Sequence, residues 1–128
     1  MPEILRFTFI GTGNAFAAEG RCWNGFVVNE RYLFEAPPSA LVGLYHAGIE
    51  PNGIEAVILS HHHADHVLGL PSLLVHWKHR GRTAPLTVVG PPGTEALIRS
   101  LIAGVAPRSL TINYGVEWRE LAPGDEAA

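Results

Sequence analysis

The chain has one cysteine, Cys22, among 128 residues. A lone thiol closes no intramolecular disulfide, which agrees with a reducing compartment. Charge is scarce as well: 16% of residues are charged and the formal net charge is −3. The densest basic cluster, Lys78, Arg80 and Arg82, is too small to predict a nucleic-acid footprint from bulk electrostatics. No apolar run approaches the roughly 20 residues that span a bilayer, and Met1 to Arg6 lacks the basic start and apolar core of a signal peptide. The chain is therefore expected to be cytoplasmic, with no membrane partner. Internal repeats and linkers are absent too, so residues 1–128 read as one domain. What is plentiful is apolar, at 47% of residues, and describes a core-forming globular chain.

The glycines exclude one further class. Gly11-Thr12-Gly13 lacks the third glycine of a dinucleotide loop and no helical pattern follows it. It reads instead as the turn that ends a strand over Ile4–Ile10. Residues 14–25 form a loop of polar and small residues. Phe26-Val27-Val28 and Tyr32-Leu33-Phe34 flank a short turn and predict a hairpin. A helix from Pro38 carries Ala40, Leu41, Leu44 and Tyr45 and ends at Gly48; His46 in its last turn is structural. Ala56 to Leu59 is a β-branched apolar run that reads as a strand buried on both faces. Pro71 opens a helix with Leu73, Leu74 and Trp77 on one side and Gly81 at its close. Leu86–Val89 is a further strand, and Gly90-Pro91-Pro92-Gly93 turns into a helix displaying Leu97, Ile98, Leu101 and Ile102. Leu110–Leu121 alternates as a last strand or hairpin, and the residues from Pro123 onward read as loop.

Chemistry concentrates where the strand at 56–59 stops. Ser60-His61-His62-His63-Ala64-Asp65-His66 holds four of the seven histidines and one carboxylate. In extended backbone alternate side chains share a direction, so His61 and His63 converge on one ion while His62 points elsewhere. Asp65 and His66 follow as the chain turns, placing a carboxylate and a third imidazole beside a second ion. Imidazole and carboxylate suit zinc, and Mn2+ or Fe2+ accept the same groups. Two plainer readings stand beside this one: the histidines form a solvated loop, and Asp65 caps the helix that follows. His76 and His79 are not ligands of this site, since His76 lies about 15 Å beyond His66 along a helix. Arg6, Arg21 and Arg82 are candidates for phosphate contact only in being cationic.

The pattern His-x-His-x-Asp-His after an apolar strand, continued as Val67-Leu68-Gly69-Leu70-Pro71, resembles the metallo-β-lactamase superfamily and looks like its ribonuclease Z branch. Gly-Thr-Gly after the opening strand and the Gly-Pro turn at 90–91 are similar to that branch as well. The resemblance implies an αββα-sandwich fold, of which this α/β chain is the first half, a mixed sheet with helices on one side. It implies two Zn2+ ions held by His61, His63, Asp65 and His66, with His62 a non-ligand. It also implies a metal-bound hydroxide attacking a phosphodiester, with Asp65 both ligand and catalytic group. Where the family carries a supporting aspartate after the hairpin, this chain offers Glu35. Such acids orient and polarise ligating imidazoles.

The resemblance covers residues 4–121 yet only half of the family's domain, and the family's remaining ligands come from the other half. The expectation is a chain truncated on its C-terminal side, or one completed by a second chain, a homodimer included. Precursor tRNA, a cyclic nucleotide or another small phosphodiester is the expected substrate. A sulfate ester, lactone or thioester is the alternative within the fold, and a non-catalytic, partner-binding half-domain is the alternative outside it.

Overall fold

In the computed structural model, which describes residues 4–112 and 114–127, six strands form one sheet in chain order. They are β1 (Phe7–Gly11), β2 (Gly25–Val28), β3 (Tyr32–Phe34), β4 (Ala56–Ile58), β5 (Leu86–Gly90) and β6 (Val116–Glu120). The first three pair antiparallel, and β3 through β6 pair parallel. The sheet is therefore mixed. Hairpin geometry explains the antiparallel part: Asn29 and Glu30 take φ of 53° and 58°, the left-handed pair that matches strand twist in a tight turn. β1 starts at Phe7 rather than Ile4 because Phe7 pairs with Val28, the last residue before that turn. Nothing in β2 lies opposite residues 4–6.

Strand alternation sends Ile10, Val27, Leu33, Val57 and Val88 to one face, each at most 7% exposed. Four helices cover that face: α1 (Ala40–His46), α2 (Ala64–Val67), α3 (Gly69–His79) and α4 (Thr94–Val105). Leu44, Leu70, Leu73, Trp77 and Ile98 complete the core from the helical side. Each such side chain contributes about 1.5–3 kcal/mol on burial. Among the described residues no helix is long and apolar enough to cross a membrane.

Among the described residues no helix covers the other face of the sheet. Phe7 and Phe9 are 59% and 60% exposed, and their rings lean on Phe26, which stacks on Phe34 with centroids 4.8 Å apart. Ala56 and Ile58 of β4 are only half-buried, so this strand is covered on one face and not, as its composition suggests, on both. Two more expectations are corrected. Leu110–Leu121 holds the last strand but is not one strand throughout: among its described residues Val116–Glu120 alone joins the sheet, and 110–112, 114 and 115 lie outside it. Of these, Tyr114 serves packing instead: it is buried and its hydroxyl donates to Leu74 O at 2.8 Å. Asn113 lies outside the described residues.

Arg82 is no phosphate contact. It is 2% exposed, donates to the carbonyls of Ile54 (2.7 Å), Ala84 (2.9 Å) and Pro85 (3.0 Å), and sits over the rings of Trp77 and Tyr114. Burial lowers its pKa and raises that of Tyr114. The guanidinium closes the end of α3 onto the strand that follows.

Candidate metal centre

Parallel pairing of β3 with β4 brings the ends of both strands to one edge, where Glu35 meets Ser60. Leu59 N donates to Val89 O at 2.8 Å, so the chain stays alongside β5 until the histidines begin. Glu35 N donates to Ile58 O at 2.8 Å, and its Oε1 accepts from Ser60 N at 3.1 Å. Glu35 holds φ at 70°, a left-handed conformation costing about 1–2 kcal/mol for an L-residue, and it is 8% exposed. Strain of this kind persists only where surrounding contacts over-determine it.

The residues after Glu35 grip the far end of the histidine segment. Ala36 N donates to His66 O at 2.8 Å, and Ala36 O accepts from Gly69 N at 2.9 Å. A Cβ on Gly69 would stand 1.9 Å from Pro37 O, so only glycine permits this approach. Residues 35–37 thus clamp the segment at Ser60 and again at 66–69.

Within the clamp the side chains stand in two pairs. His61 Nδ1 lies 2.8 Å from Ser60 Oγ, which leaves His61 Nε2 facing His63 Nδ1 at 3.2 Å. His66 Nε2 faces Asp65 Oδ2, also at 3.2 Å, and the His61 and His66 rings are 4.1 Å apart. On its other side His66 Nδ1 lies 3.1 Å from Glu35 Oε2. Both of those atoms are buried without a well-directed hydrogen bond, so the contact is one of proximity. With Nδ1 turned to a carboxylate, His66 presents its Nε2 lone pair to the site.

Two donors on one tetrahedral zinc, each about 2.0–2.1 Å from it, are roughly 3.3 Å apart. Both observed pairs have that separation. Among the described residues no three His, Cys, Asp or Glu side chains are grouped to hold one ion, and the close contacts are pairwise, His61 with His63 and His66 with Asp65. The donor set, three imidazoles and a carboxylate, fits zinc chemistry on both.

His62 turns away from these pairs, its Nε2 lying 2.7 Å from Thr94 Oγ1 at the start of α4. The side chains of His66 and Asp65 are only 19% and 20% exposed, and His61 and His62 are half-buried, whereas His63 is exposed. Asp65 stands inside the first turn of α2, where His63 holds the cap position, so it is no N-cap. Arg21 is exposed and pairs with Glu19 at 3.0 Å, and Arg6 is exposed. Neither contacts the donors. His76 sits edge-on to Tyr45 between α1 and α3, and burial lowers its pKa. Sequence reasoning passed over Ser60 and Thr94; a threonine directly after Gly-Pro-Pro-Gly, at the first turn of a helix, was the available signal for the second.

The model of the family described as anti-Pycsar protein Apyc1 matches residues 5–111. A ribonuclease Z of Methanosarcina mazei is 32% identical over 126 residues, which are 95% of this chain and 40% of that protein. A ribonuclease Z of Bacillus thuringiensis is 32% identical over 100 residues, covering 73% of this chain and 33% of its own length. The chain thus spans well under half of the curated relatives it matches. Among solved structures, the short form of human tRNase Z superposes with a TM-score of 0.80 at 23% identity, over 94% of this chain and 46% of that one. The metallo-β-lactamase fold protein YhfI of Bacillus subtilis gives 0.72 at 20% identity, over 97% and 48%. These two likenesses establish the fold, the mixed sheet with its helices being part of the metallo-β-lactamase domain. By its sequence match and its fold, the chain belongs to the anti-Pycsar protein Apyc1 family, in the ribonuclease Z-like branch of the metallo-β-lactamase superfamily.

Proposed function

We propose that this chain supplies the metal-binding half of a phosphodiester hydrolase, with His61 and His63 on one divalent ion and Asp65 and His66 on a second. The observation that carries the reading is the pair of 3.2 Å donor separations inside one clamped loop. Zinc suits the donors best, and Mn2+ or Fe2+ can use them. When bound, the ions would polarise water and offset charge developing on the phosphate oxygens. The chain's own residues do the rest. Glu35 holds His66 in the tautomer that exposes Nε2 and anchors Ser60, which in turn orients His61. Asp65 orients the attacking water and accepts its proton.

Two donors per ion make a weak site, so further ligands come from a C-terminal continuation or a second chain, a homodimer included. The bare sheet face with Phe7, Phe9, Phe26 and Phe34 supports the same conclusion, because such a face is stable when covered. Precursor tRNA is the proposed substrate, supported by relatives that are ribonuclease Z. The net charge of −3, with no basic cluster in the sequence denser than Lys78, Arg80 and Arg82, favours a second reading, a small or cyclic phosphodiester, which needs no polyanion-binding surface.

The test is metal content per chain by elemental analysis, with turnover of bis-p-nitrophenyl phosphate, precursor tRNA and a cyclic nucleotide. It uses the chain expressed with any continuation its reading frame encodes. Near-stoichiometric zinc with phosphodiester turnover, both lost on chelation and in H63A, is expected. Full turnover in the presence of chelator, or in H63A, would refute the assignment. The natural substrate is the one with the higher kcat/KM.

A further inference from the structure

His62 sits between two donors and contacts neither position where they pair. We infer that it is a positioning residue: by donating from Nε2 to Thr94 Oγ1 it fixes the segment 61–63 so that His61 and His63 face the same point. The inference rests on the metal reading above.

The direction of the hydrogen bond follows from the threonine's other contact. Thr94 Oγ1 lies 2.6 Å from Pro91 O, and a carbonyl only accepts, so the hydroxyl hydrogen is spent there. The oxygen is left to accept from His62 Nε2–H at 2.7 Å. That bond sets the tautomer of His62 and the direction of its ring.

The receptor is built rigidly. Thr94 is 1% exposed and stands at the first position of α4. A Cβ on Gly90 would come within 2.5 Å of Thr94 Oγ1, so the last residue of β5 must be glycine for the hydroxyl to sit where it does. Gly93 adopts φ of 93° to turn the chain, and Glu120 on β6 accepts from Gly93 N at 2.8 Å and Glu95 N at 2.9 Å. Pro91, Gly93, Thr94 and Glu120 together hold the hydroxyl in place.

The segment it receives is otherwise loose. Residues 61–63 lie outside helix and strand, and their backbone N–H groups have no acceptor among the described residues. Anchors exist on both flanks, at Ser60 N and through His66 N donating to His63 O at 2.9 Å. Between them the imidazole of His62 makes the side-chain hydrogen bond to α4, beside the ring contact of His61 with His66 of α2. Since His61 and His63 flank it, rotation of residue 62 would swing His61 Nε2 and His63 Nδ1 apart from their 3.2 Å approach. A fixed His62 therefore removes freedom that metal binding would otherwise have to freeze.

The experiment compares His62→Phe, Thr94→Val, the double variant and Thr94→Ser with the parent protein, expressed with any continuation its reading frame encodes. Zinc affinity is measured by competition with a chromophoric chelator. Each single variant is expected to weaken binding about tenfold, the lower end for groups that orient ligands. The double variant should lose no more than either single one, and Thr94→Ser should restore affinity. Long-range 1H–15N spectra of the imidazoles, recorded without metal, provide the second readout. Thr94→Val should abolish the Nε2–H signature of His62 and broaden the His61 and His63 rings, while Thr94→Ser keeps all three sharp. Additive losses, or unchanged ring spectra in Thr94→Val, would overturn the tether. A parent protein that binds no zinc would overturn the metal reading, and the ring spectra would still decide whether His62 orders the loop.

Discussion

Replacing Glu35 separates the two things this residue does. Its carboxylate accepts from Ser60 N and faces His66 Nδ1, and its backbone sits at φ 70°. Glu35→Ala removes the carboxylate and keeps the strained backbone. A hydrogen bond to a charged group contributes about 1.5–3 kcal/mol, and the N–H of Ser60 is then left without its partner. The expected loss is about 2–4 kcal/mol, a fall in Tm of roughly 8–16 °C at about 4 °C per kcal/mol for a domain of this size. Glu35→Gly removes the carboxylate and the strain together. Relief of about 1–2 kcal/mol, less about 0.5–1 kcal/mol for the flexibility of glycine in the unfolded chain, leaves Gly about 0–1.5 kcal/mol more stable than Ala. That order reverses the one seen at ordinary positions. Urea denaturation of the three proteins measures it. Zinc affinity is expected to fall 10- to 100-fold in both variants alike, because both release His66. An Ala variant more stable than the Gly variant would refute the backbone argument, and unaltered zinc affinity would refute the role of the carboxylate.

Other perturbations test the frame around the site. Gly69→Ala puts a Cβ 1.9 Å from Pro37 O, a backbone atom that cannot step aside, so a loss of at least about 2 kcal/mol in urea denaturation is expected. Arg82→Met strands the carbonyls of Ile54, Ala84 and Pro85, and should cost about 3–5 kcal/mol, with any loss of turnover tracking the unfolded fraction rather than KM. Glu120 accepts from Glu95 N and Gly93 N, and these bonds hold its pKa below the usual carboxylate range. A depressed folded pKa contributes stability above the unfolded value and loses it as pH falls through the folded one. The Tm gap between the parent and Glu120→Ala is therefore expected near neutrality and should close on acidification, as followed by circular dichroism from pH 7 to pH 2.

Several features of the molecule are local, and the chain states them directly. Strand and helix order follow from short apolar runs broken by glycine and proline, because periodicity and turn chemistry act over a few residues. The segment 60–66 stood out for the same reason: its donors are neighbours in sequence, so their spacing alone sets which side chains share a direction. The choice of Glu35 needed the resemblance, since nothing near it in sequence says that β3 will end beside Ser60. Other outcomes belong to the tertiary structure. Arg82 looks like any surface cation until Trp77, Tyr114 and the carbonyl of Ile54, 28 residues away, close around it together with the nearby carbonyls of Ala84 and Pro85. The alternation from Leu110 to Leu121 looks like a strand, but Tyr114 lowers its energy more by plugging the core beneath α3 than by pairing in a ladder. Ala56 and Ile58 are apolar as if covered on both sides, yet only one face meets helices in this chain. The partner of His62 lies 32 residues away, and only the parallel pairing of β4 with β5 brings Thr94 to it. Local composition therefore singled out the proposed donors, and long-range packing decided how each of those side chains is held, because orientation depends on contacts that no short window contains.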